Sequence, residues 1–188
     1  VIENYILMHK GGQEEYTDNV FVDYASALTM AILYCPPESK LPVNDEASVA
    51  ALVHGSSKMR FIDLSESVYP ILTELKNYML IRVDDKKIML ERHGKVYAYI
   101  VKNGELMSLP NGQYSLENED RIICCTCEFT KSLSDTAILS DALTCESAEE
   151  WMDNLVCRIS DKNRLSEGNL TAVTMIVRSG EDIKLYGS

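Results

Sequence analysis

The chain has 188 residues, a formal net charge of −11, 46% hydrophobic residues and 25% charged residues. That balance suits a soluble globular chain with its own core. The acidic excess, with Lys and Arg scattered, excludes a surface that gains affinity by releasing counterions from nucleic acid. No apolar run reaches membrane-spanning length and no signal-peptide pattern opens the chain, which begins on Val1.

In chain order, 2–8 reads as a strand, "KGGQ" as a turn, 20–22 as a second strand and 27–34 as a third apolar run. "CPPESKLPVND" must be a loop, because Pro36, Pro37 and Pro42 remove ladder donors. Helices are expected over 46–54, with Ala47, Ala50, Ala51 and His54 on one side, and over 65–78, where Val68, Ile71, Leu72, Leu75 and Met79 recur at helical spacing and Pro70 falls early. The period then changes. "YMLIRV" turns at "DDK" into "KIMLER", and "KVYAYIV" turns at "KNG" into "ELMSL", two hairpins with polar turns. "RIICCT" is a further strand. Ser134 or Asp135 caps a short helix running to Leu143. Ser147, with Glu150 three residues on, forms the capping box of another helix that buries Trp151, Leu155 and Ile159. "NLTAVTMIV" closes as a β-branched strand, and "DIKLYG" is expected to add an edge strand. Strands in neighbouring groups with paired helices imply an α+β layered sandwich rather than a doubly wound parallel sheet.

Six cysteines stand at 35, 124, 125, 127, 145 and 157, in no secreted disulfide framework, so reduced thiols in a cytoplasmic protein are the simpler reading. Structural zinc wants two close ligand pairs. Here Cys124 faces away from Cys125 along a strand, no second C-x-x-C exists, and His9, His54 and His93 lie far off. A thiol nucleophile at Cys127 would need a base, and His93 is brought near only by folding. No nucleotide-binding glycine loop is present.

Two segments carry a family resemblance. "GKVYAYIVKNGELMSLP" resembles the G-D-S-R-x-Y-x-x-R-D/N-G-x-L-x-x-L-T hairpin of the metal-dependent Ser/Thr protein phosphatases, the protein phosphatase 2C superfamily. Gly94, Tyr99, Asn103, Gly104, Leu106 and Leu109 match, and Lys95 stands where the family has Asp. "EDRIICCTCEFTKSLSD" resembles the family's G-D-x-L-L-L-C-S/T-D-G-L-T-D-x-L-S-D, through Asp120, Ile122, Ile123, Cys125, Thr126, Thr130, Leu133, Ser134 and Asp135. "EGNLTAVTMIV" is similar to the closing D-N-x-T-x-x-x-V strand, at Asn169, Thr171, Val173 and Val177. More weakly, "GQEEYTDNVFV" resembles G-x-R-x-x-N-E-D-A-F, and "ALTMAILYCPPE" resembles the strand ending in D-G-x-G-G. The resemblance implies a protein phosphatase 2C-like central β-sandwich flanked by helix pairs, in α-β-β-α layers. A single, shortened domain over 1–188 is expected, and its opening on Val1 rather than Met is compatible with a piece of a longer chain.

In the family, acids on these loops bind two divalent ions that activate water against a phosphoserine or phosphothreonine, and such ions require oxygen ligands. Here the aligned positions are degenerate. Glu14 replaces the phosphate-binding Arg and Asn19 the first Asp. Tyr34-Cys35 replaces one Asp-Gly, followed by Pro37 and Glu38 in place of glycines. Cys127-Glu128 replaces the next Asp-Gly, and Gly168 the last Asp. No catalytic residue and no metal ligand set is therefore expected. Asp18, Glu38, Glu128, Phe129 and Asn169 remain as candidate residual cation or cleft contacts. The reading is a pseudophosphatase without a cofactor. It would bind a protein partner, a kinase or other signalling protein, through a cleft of Tyr34, Pro36, Pro37, Cys127 and Phe129. The alternative is a divergent phosphatase holding Mg2+ or Mn2+ with the remaining acids. No nucleic-acid or membrane partner is implied.

Overall fold

A computed structural model describes residues 1–25, 27–37, 39–161 and 168–179. The expected edge strand over 182–187 lies outside them. The order is β1 (Ile2–His9), β2 (Asn19–Asp23), β3 (Leu28–Leu33), α1 (Val43–His54), α2 (Phe61–Leu75), β4 (Tyr78–Val83), β5 (Lys87–His93), β6 (Val96–Lys102), β7 (Glu105–Ser108), β8 (Gly112–Ser115), β9 (Arg121–Thr126), α3 (Cys127–Lys131), α4 (Asp135–Thr144), α5 (Ala148–Asp161) and β10 (Leu170–Val177).

Two antiparallel five-stranded sheets result, in the orders β1-β10-β9-β6-β7 and β2-β3-β4-β5-β8. They pack face to face around Met30, Ile32, Met79, Ile81, Ile88, Ile122, Cys124, Val173 and Met175. On the outer face of the first sheet, α4 and α5 bury Trp151, Leu155 and Ile138 against Ile123, Cys125 and Ala172. On the outer face of the second, α1 and α2 bury Val49, Val53, Leu64, Val68 and Leu72 against Ala31, Leu33 and Leu80. The α-β-β-α layering explains why β3 and β10 read as unbroken apolar runs rather than alternating ones. Both are buried along their whole length, covered on both faces.

The turn and capping chemistry behaves as its residues require. Asn103 and Gly104 take φ of 51° and 79°, the pair of positive values a two-residue primed hairpin turn between β6 and β7 needs. The Ser134 hydroxyl accepts from the Ala137 N–H, and the Ser147 hydroxyl from the Glu150 N–H. Glu150 returns its carboxylate to the Glu146 N–H, one residue upstream of the cap itself.

Four elements depart from the sequence reading. Helix α1 begins at Val43, directly after Pro42, and buries Val49 and Val53, while Ala47, Ala51 and His54 are exposed, because the larger apolar side chains win the inward face. Helix α2 begins at Phe61 and stops at Leu75, where Lys76 takes φ of 63°, so Pro70 lies in its interior and denies the Glu66 carbonyl a helical donor. Met79 belongs to the inward face of β4. Strand β8 was hidden in a short polar stretch, and α3 follows β9 without a loop, its Cys127 N–H donating to the Lys95 carbonyl at 3.0 Å.

Trp151 is fully buried and donates its indole N–H to the Ile138 carbonyl at 3.3 Å. Trp151→Ala is expected to cost about 3–5 kcal/mol, measured as a lowered urea midpoint with unchanged m-value.

Candidate functional site

At one end of the sandwich the loop before β2, the end of β3, the start of α3 and the start of β10 converge. The strand ends bring Asp18, Tyr34, Cys35, Cys127, Glu128, Gly168 and Asn169 into one buried polar cluster.

Asn169 organises the loop before β2. It is fully buried, and its Oδ1 accepts from the Thr17 N–H, the Thr17 hydroxyl at 3.1 Å and the Asp18 N–H at 2.8 Å. Its Nδ2 donates to the carbonyls of Lys10 at 2.9 Å and Glu15 at 3.2 Å. Every hydrogen-bonding direction of the amide is used to shape the backbone that presents Asp18.

Asp18 joins the two sheets. Its Oδ1 accepts from the Cys35 N–H at the end of β3, 2.7 Å away, and its Oδ2 from the Thr171 hydroxyl of β10, 2.6 Å away. With its proton committed to Asp18, Thr171 accepts from the Tyr16 hydroxyl at 2.6 Å. Burial pushes the Asp18 carboxyl up to about 6, against the lowering effect of those two donors and with a further rise from the Glu128 charge. Burial likewise raises the Tyr16 phenol, consistent with a donor that keeps its proton.

Glu128 makes the second crossing. Its Oε1 accepts from the Tyr34 hydroxyl at 3.1 Å and lies 3.2 Å from the Lys131 ammonium. The Tyr34 phenol is raised first by burial and then by Cys127 and Glu128, so it stays a donor. Cys127 Sγ lies 4.0 Å from the same carboxylate oxygen. Burial raises the thiols of Cys35 and Cys125, and that of Cys124 to about 12, as befits core residues.

The remaining candidates fall elsewhere. Glu14 is exposed. Asn19 turns its amide toward Glu46 of α1, 3.2 Å away, and accepts from the Val20 N–H. Phe129 is fully buried in the layer between the first sheet and its helices. Glu38 lies outside the described residues. The expected apolar contact surface is corrected accordingly. Tyr34 and Cys127 are 2% and 4% exposed and Phe129 is wholly buried, leaving only Pro36 and Pro37 half-buried. The reason is packing: Tyr34 and Cys127 complete the inter-sheet core, and Phe129 sits on the outer face of β9. His93 packs near Tyr78, with ring centroids 6.2 Å apart. Thr171, Tyr16 and Lys131 were not singled out as site residues. Thr171 lay within the matched closing motif, whereas Tyr16 and Lys131 carried no sequence signal.

A pair of hard divalent ions needs many oxygen ligands held open to them. Among the described residues no group of three or more His, Cys, Asp or Glu side chains is arranged to hold a metal. Both Asp18 oxygens carry protein donors, and Glu128 Oε1 carries a phenol and an ammonium. The described residues do not fit the two-ion site that the resemblance implies.

No family model and no curated protein sequence matches this chain. Solved structures do match. RsbX in complex with magnesium superposes with TM-score 0.73 at 15% identity, covering 93% of this chain and 94% of that one. A Streptococcus agalactiae (S. agalactiae) serine/threonine phosphatase gives TM-score 0.74 at 12% identity, covering 95% and 100%. PppA, a key regulatory component of T6SS in Pseudomonas aeruginosa, gives 0.72 at 11% identity, covering 93% and 97%. The class that the architecture defines is the protein phosphatase 2C-like α-β-β-α sandwich. This chain has the fold of the protein phosphatase 2C-type Ser/Thr phosphatases. Among the described residues, no helix is long and apolar enough to cross a membrane.

The raised Asp18 carboxyl makes stability depend on pH. The folded state holds this proton between the unfolded value of 3.8 and about 6, so its contribution is greatest below pH 3.8, falls as pH rises to about 6 and is level above. The span corresponds to roughly 3 kcal/mol. Asp18→Asn, which does not titrate, is expected to remove that slope. Urea midpoints of both proteins at pH 4.5 and pH 7.5 check it. An equal change with pH in the two would rule it out.

Proposed function

We propose that this chain is a protein phosphatase 2C-fold module that binds a protein partner and does not turn over phosphoesters. The observation that carries this reading is the engagement of Asp18 and Glu128. The carboxylates left near the aligned metal positions serve as acceptors for Cys35, Thr171, Tyr34 and Lys131, and a carboxylate already oriented by buried protein donors is less free to turn its oxygens to an ion that must strip water and bind oxygen. The substituted positions support the same conclusion: an amide at Asn19, a phenol at Tyr34 and a thiol at Cys127 supply no hard anionic oxygen at neutral pH. Glu14, standing where the resemblance puts a phosphate-binding arginine, would repel a phosphate.

A regulatory role for such a module has a counterpart in PppA, a key regulatory component of T6SS. The partner we propose is a signalling protein, a protein kinase among them, met in the cytoplasm where the six unpaired cysteines stay reduced.

The test is turnover. Purified protein is assayed against para-nitrophenyl phosphate and a phosphothreonine peptide, with Mn2+, with Mg2+ and with chelator. Rates are expected to match the protein-free blank in all three. Metal-dependent turnover that is lost in Asp18→Asn or Glu128→Gln would overturn the reading in favour of a divergent phosphatase that uses the remaining acids.

A further inference from the structure

Gly168 needs an explanation that its backbone does not provide, since it is not in the left-handed region that favours glycine. A Cβ added there would lie 2.9 Å from Glu128 Cγ, 3.2 Å from Cδ and 3.4 Å from Oε1, all atoms of one side chain. Glu128 cannot swing away cheaply. It is 5% exposed, and its carboxylate is held by Tyr34 from the opposite sheet and by Lys131. The missing side chain at 168 is therefore the space in which the Glu128 stem lies.

In the resemblance, position 128 is a glycine and position 168 an aspartate. Here both are reversed, and the two positions touch. We propose that Glu128 and Gly168 are a matched exchange that makes Glu128 an internal occupant of the cleft, seated on Gly168, latched by Tyr34 and closing the site to phosphoester from within. This deepens the metal-free reading and rests on it for the statement that no ion competes for Glu128. A fixed carboxylate beside Asp18 in a poorly hydrated pocket also disfavours a phosphate dianion, because like charges repel most where water is excluded. The same side chain shields Cys127, whose sulfur lies 4.0 Å from Oε1.

Two measurements test it. In a stability cycle, Gly168→Ala is expected to lower the folding equilibrium constant about tenfold or more in the native background, and less than about twofold when Glu128 is already alanine. Equal costs in the two backgrounds would overturn the exchange. For the closure, iodoacetamide labelling is followed by peptide mapping in a Cys157→Ser background, which removes the exposed thiol. Cys127 is expected to label at least about tenfold faster in Glu128→Ala than in the native site. Glu128→Gln, which keeps an acceptor for Tyr34, should stay protected. Labelling of Cys127 at the same rate in all three would overturn the occupant role. A turnover-positive native protein with an intact stability cycle would sink the functional reading alone. An additive cycle in a protein without turnover would sink the exchange alone.

Discussion

A buried carboxylate that must find donors in both sheets governs this end of the molecule. Asp18 enters the interior at a cost that only hydrogen bonding offsets, and its two donors belong to different sheets, the Cys35 N–H at the end of β3 and the Thr171 hydroxyl on β10. Its position is held in turn by Asn169, which spends its whole amide on the loop before β2. The Tyr34–Glu128 bond repeats the arrangement a short distance away, a donor at the end of one sheet meeting an acceptor beyond a strand of the other. The sandwich core aligns the sheets through apolar contact, which has no direction. These polar crossings fix where their ends meet.

The same bonds set the chemistry. Turning Asp18 or Glu128 toward an ion would strain or break bonds to buried donors, and a buried donor left unpaired bears its full desolvation cost. Asp18 and Glu128 are thus tied into the structure by their donors. The raised Asp18 carboxyl is the electrostatic trace of this burial, since burial outweighs the two donors and the neighbouring Glu128 adds to it.

Much of the scaffold was legible. The hairpin turns at 84–86 and 103–104, the Ser134 and Ser147 caps and the apolar runs of β3, β9 and β10 are local chemistry, and local chemistry survives folding largely intact. What escaped was short or context-bound. Strand β8 has four residues with no apolar alternation and exists because β5 offers it an edge. The face of α1 and the start of α2 depended on which apolar side chains the second sheet could accept. Within the site, matched motifs placed Asp18, Tyr34, Cys127, Gly168 and Asn169 together, but their burial, and the displacement of Phe129 into another layer, had no local cue.

The sequence by itself determined the layered α+β architecture, because periodicity is a property of the chain read locally. Only the tertiary structure decided what the surviving polar groups do. Whether a carboxylate is a ligand, a surface charge or a staple depends on the donors around it. The donors from Cys35, Tyr34 and Thr171 arrive from residues 17, 94 and 153 positions away, a separation that no local pattern encodes.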